Sequence, residues 1–254
     1  MITEKEMDEK LYNVNIKADR LMLVLIGIHF IFAAFVSSMT YDTYLFGFVN
    51  GFILFIITLV SYYYFKGKRE FRVVVAIVLM AFSSIFIQQH LGRIEFHFHV
   101  FVAISFLTLY KDHIPTIVAG VTTAIHHVLF NILQENNIEY FGQQIYIFNY
   151  GCGWDIVFLH VFFVIVEVII VSKFILENKN NFIDLIVSND KFHKLNISLE
   201  DEVLKKTQSI TRVNELYKES QKITHLGNWE WNMQDSGLIW SDEIYRIFNI
   251  ETQS

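Results

Sequence analysis

The chain has 254 residues, of which 53% are hydrophobic and 16% aromatic, with one proline and one cysteine. Its charges are concentrated at the ends: nine lie in residues 1–20 and 22 in residues 177–254. This distribution excludes a single soluble globule, and the lone cysteine excludes a disulfide scaffold. The net charge of −6 argues against binding to nucleic acid, which needs a basic face.

Residues 1–19 are too acidic for the n-region of a cleaved signal peptide, so we expect a cytoplasmic N-terminal segment here. A membrane helix needs about 20 mainly apolar residues. Six runs approach this and predict spans at 21–39, 44–65, 72–91, 95–110, 114–134 and 154–176. The predicted fold class is an all-α membrane protein, with a six-transmembrane-helix bundle over residues 20–176.

Lys and Arg in short connections predict the orientation of these spans. They are frequent in the N-terminal segment, in the second connection (KGKREFR) and at the exit of span six, and the fourth connection has Lys111. The first connection and the long loop before span six have none, and the third has only Arg93. We therefore expect a multi-pass protein of a bacterial inner membrane with both termini in the cytoplasm.

Seven of the ten histidines lie in or at the ends of the predicted spans. At about 1.5 Å per residue, six of them fall in the outer half of the bilayer, and the seventh lies deeper in span one. The six are His90, His97, His99, His126, His127 and His160, and the deeper one is His29. Ionisable residues in spans usually mark function, and imidazole is a common metal ligand. We predict these histidines as candidate ligands of iron, copper or haem b.

Helix geometry limits which of these histidines can share a centre. His97 and His99 are about 200° apart on a helix, and His126 and His127 about 100°. One of each pair can ligate while the other hydrogen-bonds a nearby polar residue. The candidate partners are Glu95, Gln88, Gln89 and Asn131. Two alternatives stay open: histidines that only join helices, and a proton- or quinone-linked site.

Residues 177–224 contain no glycine or proline and alternate charges of both signs. Apolar residues recur at an approximate a/d spacing, interrupted by Lys206, at Leu199, Val203, Ile210, Val213 and Tyr217. This pattern predicts a cytoplasmic signalling helix that pairs in a parallel coiled coil and makes the protein a homodimer. The alternative is a solvated helix with no partner.

Residues 225–254 predict an aromatic strand, a turn at Asp235-Ser236-Gly237, a second strand that ends at Trp240, and a helix capped by Ser241. The run GNWEW and the later WSDEIYRIF resemble the opening of a PAS domain. The resemblance covers about 28 residues of an α/β fold that needs roughly a hundred. We therefore expect the truncated beginning of a PAS domain.

The membrane part resembles a histidine-rich multi-span input domain of bacterial sensor proteins. The resemblance covers about residues 20–175 and rests on IEFHFHVFV, LYKD, the IP of span five, IHH and the histidine of span six. Where that family often has Trp after the Asp of LYKD, this chain has His113. The resemblance implies sensing without naming the signal.

Together these features predict the input module of a histidine kinase or diguanylate cyclase, whose histidine cluster senses redox state, a gas or a metal. The expected partners are the bilayer, a second copy, and an output domain or response regulator. The sequence has neither a glycine-rich ATP loop nor a P-loop motif. The alternative is a membrane redox enzyme or a b-type-cytochrome-like electron carrier, although the spacing lacks the HxxxH and HxxHH boxes of membrane desaturases.

Overall fold

The computed structural model describes residues 3–233 and 237–251, which are mostly helical. The helices are α1 (Glu4–Ile31), α2 (Tyr44–Phe65), α3 (Arg69–Gln89), α4 (Ile94–Phe106), α5 (Ile114–Glu135), α6 (Trp154–Thr224) and α7 (Asp242–Ile247). Strands β1 (Glu139–Tyr140) and β2 (Gln143–Gln144) form one antiparallel pair, and β3 (Trp229–Trp231) and β4 (Leu238–Trp240) form another. The chain divides into two compact units, Met1–Val187 and Ser188–Ser254.

Among the described residues, five helices are long and apolar enough to cross a membrane, namely Glu4–Met39, Tyr44–Phe65, Arg69–Gln89, Ile114–Glu135 and Trp154–Thr224. The fourth predicted span coincides with a shorter apolar helix, Ile94–Leu109. Large apolar side chains are exposed along most of these helices, as suits a lipid environment. The structure thus confirms a largely helical protein with several apolar helices of membrane type.

Helix α3 is the centre of the first unit. In the most apolar stretch of 18 residues of α3, 67% is buried, whereas the corresponding share in the other four long helices is 17–39%. Phe71, Val75, Leu79, Phe82 and Phe86 recur on it every three or four residues and are all buried. The other membrane-type helices pack around this core, so polar groups on α3 are shielded from lipid.

The N-terminal segment is helical rather than a separate polar arm. Thr3 and Glu6 form a capping box that begins α1 well before the first predicted span. Helix α6 likewise continues beyond the sixth predicted span to Thr224 and includes the predicted signalling helix. The residues around the predicted boundaries include good helix formers and no glycine or proline, so both helices continue past these boundaries.

A π turn at Phe32–Val36 follows α1 and makes a polar contact with α3. A π turn disturbs the regular ladder of backbone bonds. The carbonyl of Ala33 accepts hydrogen bonds from Ser38 Oγ at 2.7 Å and from Gln89 Nε2 at 2.8 Å. Gly47 of α2 packs directly on this arrangement, where a Cβ would overlap both the Ala33 carbonyl and the Gln89 amide.

In the second unit the order of elements agrees with the prediction for residues 225–254. Strand β4 ends at Trp240, whose partner in register is Trp229 of β3. Ser241 occupies the N-cap position, but its Oγ accepts from Asn228 N at 3.1 Å and not from α7, so the predicted side-chain cap is wrong. Asp235 and Ser236 of the predicted turn lie outside the described residues. Two strands and a helix occur in many folds, so the PAS identity stays a prediction.

We expect Gly47→Ala to destabilise the protein by about 1–3 kcal/mol, because the added methyl displaces the Ala33–Gln89 contact. Gly27→Ala is the matched control: its Cβ would lie 3.6 Å from Phe55, an ordinary contact, and alanine is the better helix former. Thermal unfolding in detergent measures both variants. Equal melting temperatures for the two would contradict the close packing at Gly47.

Candidate functional site

Three predicted histidines from three helices come together in the first unit: His97 of α4, His127 of α5 and His160 of α6. Their ring centroids are separated by 5.5 Å (97–127), 5.3 Å (97–160) and 5.6 Å (127–160). His97 and His127 are buried, and His160 is half-buried. We refer to these three residues as the histidine triangle.

All three rings are held in the same way. Each Nδ1 lies within hydrogen-bond distance of the carbonyl four residues earlier: Arg93 O at 3.2 Å, Thr123 O at 3.0 Å and Ile156 O at 2.9 Å. A carbonyl only accepts, so each Nδ1 carries the proton and each Nε2 keeps its lone pair. Metal-binding histidines are commonly oriented by such a bond. The Nε2 of His97 is buried and makes no hydrogen bond of good geometry in the described part of the chain, although the ring also interacts with the backbone of Ile147.

The ring spacing suits a single ion. Imidazoles whose Nε2 atoms lie about 2.0–2.1 Å from a tetrahedral metal have ring centres roughly 5 Å apart. Within residues 3–233 and 237–251, however, no three His, Cys, Asp or Glu side chains are already arranged to hold a metal. The ring centroids are therefore suitably spaced for one ion, but the side chains do not form a complete metal site in this structure.

Phe148, in the loop between α5 and α6, covers the histidine triangle. Its ring centroid lies 5.3 Å from that of His97, 5.9 Å from His127 and 4.8 Å from His160. Phe148 was not among the predicted site residues, because an aromatic residue in a polar loop has no distinguishing pattern in the sequence. The side chain is fully buried, so it closes the histidine triangle on the side of this loop.

Two glutamines fix this loop to the helices. Gln134 accepts from Ile147 N at 2.7 Å and Phe148 N at 3.1 Å, and donates to Phe148 O at 2.8 Å. Gln88 accepts from Tyr146 N at 2.9 Å and donates to the Gln144 carbonyl. Glutamines near the ends of apolar spans were the available sequence signal for such a loop clamp.

An apolar cavity of about 300 Å³ lies beside the histidine triangle, and all three histidines line it. Its other walls come from α4, α6 and the loop, including Phe101, Tyr150 and Phe163. A small ligand in this cavity would be in contact with imidazole rings and otherwise with hydrocarbon and aromatic surface.

His126 adjoins the triangle. Its Nδ1 lies 3.4 Å from that of His127, and its ring centroid lies 4.1 Å from that of Phe130. The Nε2 of His126 is buried and unpartnered within the described residues. His126 is therefore a fourth imidazole next to the triangle with an unused nitrogen.

His29 and His99 form a separate pair, with their Nε2 atoms 3.0 Å apart. His29 Nδ1 donates to Leu25 O at 2.6 Å, and Ser83 Oγ lies 2.8 Å from His99 Nδ1. Both nitrogens of both rings thus have partners, and the pair joins α1, α3 and α4. This supports a structural role for these two histidines. It also confirms that His97 and His99 face different neighbours, as the helix geometry predicts.

The remaining predicted residues have other contacts. His90 donates to Phe86 O at 3.1 Å and stacks on Phe96, with the ring centroids 3.4 Å apart. Glu95 is exposed and pairs with Arg93 at 3.0 Å, and Asn131 Oδ1 accepts from Gly153 N at 3.0 Å. Among the described contacts, Glu95 thus pairs with the Arg93 side chain and Asn131 binds the loop backbone, and neither bonds to a histidine.

Comparison with known proteins identifies no relative: no family model matches the chain, and no curated protein or solved structure matches it either.

We expect Gln134→Leu to release the loop over the histidine triangle. The Ile147 and Phe148 amides lose their acceptor at a cost of about 1–3 kcal/mol. Hydrogen exchange at these two amides should become at least several-fold faster. Gln144→Leu is the control in the same loop, because its amide donates to the exposed Asn137. Unchanged exchange at both amides in Gln134→Leu would contradict the clamp.

Proposed function

We propose that the chain is the membrane-bound input module of a bacterial signalling protein, and that the histidine triangle binds a transition-metal ion. One observation carries the proposal. In three imidazoles from three helices, Nδ1 bonds to the carbonyl of the preceding helical turn, so that Nε2 is left as an acceptor. The ring centroids are separated by about the distance expected for ligands of one metal ion. A buried, unpartnered Nε2 on His97 is costly unless something occupies it.

The donor set fits iron, copper or zinc, for which imidazole is a suitable ligand. Ring centroids 5.3–5.6 Å apart leave no room for a porphyrin between two of the histidines, which favours a single ion over bis-histidine haem b. Three protein ligands leave a coordination position for a small molecule, and the adjoining cavity offers it space. Such a centre would respond to redox state, to a gas or to the metal itself.

Transmission would proceed through α6. His160 lies on this helix, which continues from Trp154 to Thr224. A change of ligand geometry at His160 would therefore act on the helix that leads to the output. With Ile94–Leu109 as a short fourth span the chain would cross the membrane six times, and the Lys and Arg bias favours both ends in the cytoplasm of a bacterial inner membrane. A PAS domain beginning at residue 225 would then precede a histidine kinase or diguanylate cyclase.

We also propose that the protein is a homodimer through α6. The a/d residues Leu199, Val203, Ile210, Val213 and Tyr217 are all exposed in the single chain. An exposed stripe at this spacing is what a parallel coiled coil buries. The ion pairs Lys205–Asp201 and Lys206–Glu202 each join residues one helical turn apart. They stabilise the helix of a single chain before it pairs with a second copy.

We expect the full chain, purified in mild detergent from metal-replete cells, to hold close to one metal ion per chain. His97→Ala, His127→Ala and His160→Ala should each lower the affinity by at least tenfold, because each removes a ligand. His99→Ala and His113→Ala are controls outside the triangle. Metal analysis and the absorption spectrum measure the outcome. A Soret band would establish haem and favour the electron-carrier alternative, and a metal-free wild-type protein would refute the metal centre.

The dimer is tested by disulfide formation in a Cys152→Ser background, because Cys152 is an exposed free thiol. Ile210→Cys at an a position should cross-link in membranes under mild oxidation. Gln208→Cys, on the opposite face of the same helix, should cross-link far less. Equal cross-linking at both positions would indicate a collision and not a coiled coil.

A further inference from the structure

A second cavity, which is polar and has a volume of about 240 Å³, lies in the first unit on the side of the bundle rich in Lys and Arg. Its walls come from α1, the start of α3, the connection between α4 and α5, and α6 just after the predicted span. The charged residues that line it are Arg69, Arg72, Lys111, Asp112 and Lys179. The proposed metal centre has no residue in this lining.

Arg72 is the most buried cation of this cavity, with its side chain 9% exposed. Its Nη2 donates to Asp112 Oδ2 at 3.0 Å, and its Nη1 donates to Gly67 O at 3.3 Å. Its Nε is buried and has no partner within the described ranges. An arginine held this deeply with an unused donor is suited to a further acceptor, and phosphate and carboxylate oxygens are the usual ones.

The positive charge of the cavity exceeds the negative charge. Asp112 accepts from both Arg69 and Arg72 through the same oxygen. Although burial raises the pKa of Asp112, the bonds from Arg69 and Ile114 N and the charge of Arg72 hold it below its usual value. Asp19, which interacts with Arg72 from outside the lining, is the other nearby carboxylate. Four cations therefore face two carboxylates.

The two lysines have no counter-ion. Among the described residues neither Lys111 nor Lys179 lies within ion-pair distance of a carboxylate. Lys111 Nζ instead lies 5.7 Å from the centroid of the Phe182 ring, and burial lowers its pKa below the usual value. A negatively charged ligand in the cavity would supply the missing counter-charge to both.

We infer that this cavity binds a phosphate group, with Arg72, Lys111 and Lys179 as its donors. The cavity lies where the helices emerge from the apolar region, at the depth of lipid head groups. Basic pockets between membrane helices on the cytoplasmic side bind anionic lipid head groups. The ligand is therefore the phosphodiester of an anionic phospholipid or a free phosphate, and the two sources are separable by experiment.

The test uses the full chain in nanodiscs of phosphatidylcholine, with or without phosphatidylglycerol, and native mass spectrometry to count retained lipids. We expect wild-type protein to retain phosphatidylglycerol in preference to phosphatidylcholine. Lys111→Gln/Lys179→Gln should weaken this binding roughly 10–30-fold. Lys179→Gln alone, which preserves the Lys111–Phe182 contact, should show an intermediate loss.

The matched control is Lys66→Gln/Lys68→Gln, which removes the same charge from exposed positions outside the cavity on the same side of the bundle. This pair should bind lipid as wild type does. Thermal unfolding in detergent with inorganic phosphate, against chloride at equal ionic strength, tests the free anion. Protection by phosphate that the cavity variant abolishes would support the site and identify a free phosphate as its ligand. No preference for phosphatidylglycerol or phosphate, or an equal loss in the control pair, would overturn the inference.

Discussion

The constraint on which the first unit depends is that a polar group inside an apolar bundle must find a partner within the protein. Each unsatisfied group in hydrocarbon costs several kcal/mol. The bundle meets this requirement in part with side-chain amides and imidazoles: Gln89 donates to the Ala33 carbonyl in the π turn, and Gln134 accepts from the amides of the loop over the histidines. The His29–His99 pair satisfies its nitrogens in the same way. Ten buried side-chain atoms of the described residues have no such partner, and His97 Nε2 is the one among them that the proposed metal ion would occupy.

Helix α3 makes this arrangement possible because it is surrounded by other helices. Most of its apolar residues are buried, so it carries Ser83, Gln88 and Gln89 as contacts to α4, the loop between α5 and α6, and the π turn after α1. The histidine triangle, in contrast, lies on α4, α5 and α6, which have exposed apolar faces. Its environment therefore includes an apolar cavity that a small molecule can enter.

Helix α6 connects the two proposed ligand sites of the first unit. His160 belongs to the histidine triangle, and Lys179 lines the basic cavity, 19 residues further along the helix. At 1.5 Å per residue this separation is about 28 Å, close to the thickness of the hydrocarbon core. A metal site near one membrane face and a phosphate site near the other would therefore both act on the helix that extends to Thr224. The two sites share no residue, so their effects can be separated by mutation.

The sequence by itself determined the helical class and the approximate positions of the apolar segments, because hydropathy and the distribution of charge are local properties. It did not determine where α1 begins or where α6 ends. Predicted span 44–65, for example, coincides with α2. The 200° separation of His97 and His99 also predicted correctly that they face different neighbours. Only the tertiary structure decided which histidines meet, since that depends on how α4, α5 and α6 rotate and pack. It also identified Phe148 and the unpartnered Arg72 donor, because neither a loop's insertion nor an unused hydrogen bond leaves a pattern in the sequence.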